Sequence, residues 1–203
     1  GVMRGFFHIP KVNKFPVCLI FHGFTGNKLG TKFSYVQIAR ILEEKGIGTL
    51  RMDFLGSGDS DLSFKDMTFD DELSCARLML EEMKALENVS DIYVVGHSMG
   101  GATVVQVGRD RDDIDAVIDL DGTMLGEELD YENGVYEYYE ENYPVPLLSL
   151  NSQAHQEVSD EAKLLYVNNV VLENAVDGQY TYFEGSGHMN FTDLPLFSPI
   201  LAS

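Results

Sequence analysis

The sequence predicts an α/β protein built on a mostly parallel sheet flanked by helices. Seven short runs rich in Val, Ile, Leu and Phe alternate with longer helical segments along the 203 residues. Most of these runs are continuously apolar, as strands covered on both faces must be. Strand and helix in alternation call for right-handed crossovers between parallel neighbours. In such a sheet ligands bind beyond the carboxyl ends of the strands, so residues just after strands are the ones to inspect.

The strands are expected in "FFHI", "PVCLIFHG", "GIGTLRMDF", "DIYVVGHS", "DAVIDLDG", "VPLLSLNS" and "QYTYFEG". Among the helices, "FSYVQIARILEEKG" has Gly46 as a stop, and "TFDDELSCARLMLEEMKALEN" opens on Thr68 followed by acidic residues. "GGATVVQVG" begins a helix directly after the fourth run, and "SDEAKLLYVNNVVLENA" opens on Ser159. One segment breaks the rhythm. Residues 122–146, "GTMLGEELDYENGVYEYYEENYPVP", are acidic, carry five tyrosines, and are expected to form a short lid-like insertion.

Length and composition set the outer limits. A chain of this size is expected to be one domain, residues 1–203, burying about 70% of its unfolded surface. With 44% hydrophobic and 23% charged residues it has the composition of a soluble globular protein, and no apolar run approaches the ~18 residues of a membrane span. Acidic residues outnumber basic ones 33 to 14, a formal charge of −19 that argues against nucleic acid or anionic lipid as a partner. Cys18 and Cys75 sit in apolar surroundings and are expected as buried free thiols. The opening "GVMRGFFHIP" shows no signal-peptide pattern, which makes a cytoplasmic location the default expectation. The stretch "DFLGSGDSD" has the carboxylate density of a calcium loop but lacks the closing Glu; it is expected to shape the site edge, with no metal.

Chemistry is concentrated in "IYVVGHSMGG", residues 92–101. A Gly-x-Ser-x-Gly match arises by chance in about one unrelated chain of this length in fifteen, so its setting must decide. Here the setting is strand, sharp turn, helix. In such a turn a side chain at Gly96 or Gly100 would collide with neighbouring backbone, while Ser98 projects above the sheet beside the positive end of a helix dipole. The Met99 N–H is then aimed at a developing oxyanion. Earlier, "IFHGFTG" ends a strand where the Phe24 N–H would supply a second oxyanion donor; an ordinary turn with a structural His22 fits equally well.

His188, in "YFEGSGHMNFTDLP", lies just past the last strand in a glycine-rich turn, after the serine in chain order, and is the last histidine. The acid is less obvious. "PLLSLNSQAHQ" has no carboxylate after its strand, whereas "AVIDLDG" ends in Asp121, with Asp119 deeper. Asp121 is also what a turn-initiating aspartate before glycine would look like. Tyr136, Tyr138 and Tyr139 either line an acyl or alcohol pocket or cover the core beneath a loop.

"HGFTG", "GHSMGG" and "GSGH" in this order resemble the α/β-hydrolase superfamily of serine hydrolases over nearly the whole chain. "VCLIFHGFTGNK" through "FKDMTFDDEL" is similar to bacterial cinnamoyl and feruloyl esterases, and the stretch from "GHSMGGAT" to "GSGHMNFTDLPLFSP" is similar to platelet-activating-factor acetylhydrolase-like lipases. In the acetylhydrolase group the acid falls on the position of Asp121; in the esterases it follows the next strand, which is empty here.

The resemblance implies a cofactor-free serine esterase or lipase, with Ser98 as nucleophile, His188 as base then acid, Asp121 orienting the imidazole, and the Phe24 and Met99 N–H groups as oxyanion hole. Small neutral esters suit so acidic a protein. An acyltransferase with the same triad and a non-catalytic binding fragment are the alternatives. The fold is expected to lack terminal elements, leaving apolar surface near "PLFSPILAS", so a homodimer is expected.

Overall fold

The computed structural model describes residues 1–132, 135–139 and 141–192. Among the described residues nine strands form: β1 (Gly5–His8), β2 (Phe15–Phe21), β3 (Gly48–Met52), β4 (Val89–His97), β5 (Ala116–Leu120), β6 (Glu128–Glu132), β7 (Val135–Tyr138), β8 (Leu147–Ser152) and β9 (Gly178–Phe183). The helices are α1 (Ser34–Glu44), α2 (Phe69–Lys84), α3 (Met99–Asp110), α4 (Gln153–Ala162) and α5 (Val167–Asn174). Seven strands make one sheet in the order β1-β3-β2-β4-β5-β8-β9, parallel throughout except β1, which runs antiparallel to β3. All seven apolar runs of the sequence are strands of this sheet.

The central strands are apolar because both their faces are covered. β2 is buried at Val17, Leu19 and Phe21, and it pairs with β4 from Val17 opposite Ile92 to Phe21 opposite Gly96. On one face α2 presents Leu73, Ala76, Met79, Leu80 and Met83, all buried and spaced along one helical stripe. Its start is fixed as the sequence predicts, by a capping box between Thr68 and Asp71. Both cysteines are buried and free, and burial pushes the Cys18 thiol up to about 12.

One helix start differs from expectation. The helix placed from Ser159 begins at Gln153 instead, because Ser152, the last residue of β8, is also its N-cap and accepts the His155 N–H at 3.1 Å. Ser159 is buried inside α4, its hydroxyl 2.5 Å from Asn169 Oδ1. The chain then breaks at Lys163 (φ 52°) into a short 3-10 turn, and α5 follows. Within residues 122–146, β6 and β7 pair as a two-stranded antiparallel sheet. Arg109 of α3 anchors this segment through two-pronged bonds to buried Glu127 and through the Glu141 and Asn142 carbonyls. Tyr143 closes it, fully buried with its hydroxyl donating to the Val105 carbonyl at 2.9 Å. The stretch "PLFSPILAS" lies outside the described residues. Among those described, no helix is long and apolar enough to cross a membrane.

Candidate active site

The turn between β4 and α3 carries Ser98 in a left-handed conformation, φ 57° and ψ −119°, which costs a non-glycine residue on the order of 1–3 kcal/mol. The surroundings hold it there. The Ser98 N–H donates to the Leu120 carbonyl at 3.0 Å, and the Ser98 carbonyl accepts from Gly101 and Ala102. A Cβ at Gly96 would overlap the Gly100 carbonyl, and one at Gly100 the Phe21 carbonyl, so both flanking glycines are required for close approach. Ser98 is thereby the N-cap of a helix of 12 residues, beside the positive end of its dipole.

The loop after β2 passes directly over this turn. A Cβ on Gly23 would lie 2.9 Å from the His97 carbonyl and 3.0 Å from Ser98 Cβ. His22 holds the loop: its Nδ1–H donates to the Gly23 carbonyl at 2.9 Å, and its Nε2 accepts the Phe54 N–H at 3.2 Å. Burial lowers its pKa, keeping it neutral, so His22 is a structural pin. Lys28, bonded to buried Asp53 through both its N–H (2.6 Å) and its ammonium (2.5 Å), ties the loop to the acidic stretch that starts at Asp53. The Phe24 and Met99 N–H groups have no hydrogen-bond partner among the described residues. Both belong to segments that border Ser98.

His188 opens a short 3-10 helix after β9, and its Nδ1 lies 2.7 Å from Asp121 Oδ2. Its ring stacks on His97 with centroids 4.9 Å apart. Burial, and then the nearby His188, lower His97 to about 4, so the platform is neutral. Asp121 follows β5 at φ 56°. Burial opposes its charge, but hydrogen bonds from His155, His188 and the Ser152 N–H outweigh it and hold the carboxyl well below the usual range. The structure thus brings Asp121 and His188 together. The end of β8, which could have held a carboxylate, instead supplies the Ser152 N–H.

Sequence reasoning missed His155, whose Nδ1 lies 3.1 Å from Asp121 Oδ1 and whose Nε2 lies 2.7 Å from the Tyr166 hydroxyl. The signal was available. With Ser152 as N-cap, His155 is the third residue of the helix and reaches back over the end of the neighbouring strand. Of the tyrosines expected to line a pocket, Tyr138 donates to the Leu165 carbonyl at 3.2 Å and packs on the core, while Tyr139 stacks on Arg109, 4.8 Å from its ring centre. Neither side chain is among those lining the cavities at Ser98. Tyr138 is turned toward the 3-10 turn before α5, and Tyr139 toward α3. The side chain of Tyr136 lies outside the described residues.

Two cavities meet at Ser98 and His188. One, of about 630 Å³, borders α4 and is walled by Met99, Leu125, Ala154 and Val158, with Thr123, Ser152, His155 and Tyr166 as polar groups beside Ser98, Asp121 and His188. The other, of about 270 Å³, lies beneath the loop of Phe24 and extends to Asn27, Thr31 and Tyr35. A planar reacting group at Ser98 could send one substituent into each. Among the described residues, no cluster of three or more His, Cys, Asp or Glu side chains is arranged to hold a metal ion.

Comparison with known proteins agrees with this fold. The model of the family described as serine aminopeptidase, S33, matches residues 13–135, more than half of the chain. Est1E from Butyrivibrio proteoclasticus, solved with ferulic acid bound, superposes with a TM-score of 0.71 at 25% identity, over 98% of this chain and 92% of that one. Dienelactone hydrolase from Anabaena variabilis gives 0.69 at 17% identity, over 98% and 89%. Ferulic acid esterase from Streptomyces cinnamoneus gives 0.65 at 20%, over 91% and 55%. The last two likenesses speak to the fold. No curated protein matches the chain.

Proposed function

Because the chain belongs to the serine aminopeptidase S33 family of α/β hydrolases, we propose that it is a serine-dependent hydrolase of small neutral carboxylic esters. The observation that carries this reading is the 2.7 Å contact between Asp121 and His188 in a cavity that also contains Ser98. Asp121 fixes the His188 tautomer, with Nδ1 protonated and Nε2 free to accept. Ser98 Oγ adds to the ester carbonyl as its proton passes to His188 Nε2. The tetrahedral oxyanion takes hydrogen bonds from the Met99 and Phe24 N–H groups. The alkoxide leaves with the His188 proton, giving an acyl-enzyme; water, deprotonated by His188, then adds to the acyl carbon and releases the acid and Ser98.

An ester fits better than the aminoacyl substrate of an aminopeptidase. A free α-ammonium needs a carboxylate partner when taken out of water. Asp121 is the only carboxylate lining the two cavities, among the described residues, and it is already bonded to two histidines and a backbone N–H. The bound carboxylic acid in the Est1E structure supports a carboxylic acyl group as what such a site handles. The test compares p-nitrophenyl esters of increasing acyl length with aminoacyl p-nitroanilides, on the protein and on Ser98→Ala. Ester turnover that disappears in a folded Ser98→Ala is expected. Preferential cleavage of the anilides would overturn the ester reading.

A further inference from the structure

Asp121 is shared by two imidazoles, and of these only His188 lines both cavities that meet at Ser98. His188 takes Oδ2 at 2.7 Å, while His155, on a different element, takes Oδ1 at 3.1 Å. The protonation of His155 follows from its neighbours. Its Nε2 faces the Tyr166 hydroxyl at 2.7 Å and Asn168 Nδ2 at 3.4 Å. The Asn168 amide cannot be turned over: its Oδ1 accepts the Met124 N–H at 2.9 Å, and its Nδ2 donates to the Gly122 carbonyl at 2.8 Å. An amide donor therefore points at Nε2, and the Tyr166 hydroxyl, 3.2 Å from Thr123 Oγ1, can accept from the threonine while donating to the imidazole. Two donors on Nε2 leave it as the acceptor, so the single ring proton sits on Nδ1 and is given to the carboxylate. Thr123, Tyr166, His155 and Asp121 form one line of hydrogen bonds with one direction.

We propose that His155 is a positioning residue of this site: its Nδ1–H fixes Asp121 Oδ1 so that Oδ2 faces His188, and it draws off part of the charge that His188 would otherwise feel. The proposal rests on the assignment of Ser98, His188 and Asp121 as the reacting set. A carboxylate free to turn would lose the alignment that keeps His188 Nε2 toward Ser98, and a misplacement of about 1 Å at such a site costs up to about a hundredfold in rate. A carboxylate with one donor fewer would also stabilise the His188 imidazolium more strongly, making His188 more basic. The other titratable groups facing this pair are Asp119 behind it on β5, Tyr166, Glu128 beyond Tyr166, and His97 beneath His188. All remain when His155 is replaced, so a change between variants isolates its contribution.

The experiment has a structural arm and a kinetic arm. In the first, ring ¹⁵N spectra of the unmodified protein, with the His155 signal identified by its loss in His155→Phe, should show the Nδ1–H tautomer; an Nε2–H tautomer overturns the proposal, whether or not any ester is turned over. In the second, His155→Phe should lower plateau kcat between about ten- and a hundredfold with KM within about twofold. The acidic limb of kcat/KM should move to higher pH, and His155→Asn, whose amide can replace Nδ1–H, should recover both. An effect confined to KM marks a mere pocket wall and overturns the proposal. Equal losses in both variants with an unmoved limb mark a merely structural role and overturn it too. If the wild-type protein cleaves no ester, it is the functional assignment that fails, and the tautomer still decides the direction of the hydrogen bonds.

Discussion

Asp119 and Asp121 stand two residues apart at the carboxyl end of β5, and their surroundings push the two carboxyls in opposite directions. Burial pushes Asp119 up to about 8, against its hydrogen bonds with Ser149 and the Gly122 N–H, and the charge on Asp121 adds to the rise. Ser149 explains how a neutral acid fits. Its hydroxyl lies 3.0 Å from Asp119 Oδ2 and 2.9 Å from Asn151 Oδ1, but has one proton for two acceptors. A protonated Asp119 donates to Ser149, which donates on to Asn151, and no oxygen is left unpaired.

Asp119→Asn should therefore keep the fold and most of the activity, since the amide reproduces the donor to Ser149 and the acceptor for Gly122. Its signature lies in stability against pH. A carboxyl whose folded pKa is raised stabilises fully below about pH 4 and loses that contribution as pH rises toward 8, by at most about 1.4 kcal/mol per unit. Urea denaturation from pH 5 to 8 should show a flatter curve for the variant. A parallel curve would mean that Asp119 is ionised in the fold.

Asp121→Asn should behave in the opposite way, leaving KM nearly unchanged and lowering kcat by about 10⁴, roughly 5.5 kcal/mol of transition-state stabilisation. Asp177 is the control. It lies in the exposed turn before β9, its Oδ1 accepting from Gln179 at 3.0 Å, and Asp177→Asn should leave steady-state rates unchanged. Loss of activity in the Asp177 variant, with retention in the Asp121 variant, would place the acid at the wrong end of the sheet.

Glu72, buried between α2 and α3, accepts from Thr103 at 2.6 Å through one oxygen; the other has no partner among the described residues, and burial raises the carboxyl to about 7. Thr103 also lies 3.1 Å from the Met99 carbonyl, so it keeps a partner without Glu72. Glu72→Met, similar in size and apolar, should gain stability over the wild type as pH rises from about 4.5 to 7, by on the order of 3 kcal/mol. Thermal melts at pH 5 and pH 8 read this directly; an equal difference at both pH values would count against the burial argument.

What the sequence made legible follows the physics of each signal. The inner strands β2, β3, β4, β5 and β8 could be read because a doubly covered strand must be largely apolar, and Ser98 because its flanking glycines have no substitute. Asp121 could be read because the strand that precedes it places it at the right edge. The β6–β7 hairpin escaped because an acidic, tyrosine-rich stretch has no core-facing periodicity before its partner is known. The start of α4 escaped because "QAHQEV" is polar and Ser152 serves strand and helix at once. His155 was hidden with it, since its reach to Asp121 depends on that cap. Tyr166, which borders the larger cavity, stands alone in sequence, whereas Tyr138, Tyr139 and Tyr143 of the tyrosine cluster pack at Leu165, Arg109 and Val105.

The most direct measurement is to incubate the protein with a fluorophosphonate and map the adduct by mass spectrometry. Only a serine with a base to take its proton and N–H donors to meet the oxyanion reacts quickly. One adduct, on Ser98, abolished in Ser98→Ala and strongly slowed in His188→Ala, is the predicted result. Labelling of another serine, or none under conditions that preserve the fold, would contradict it.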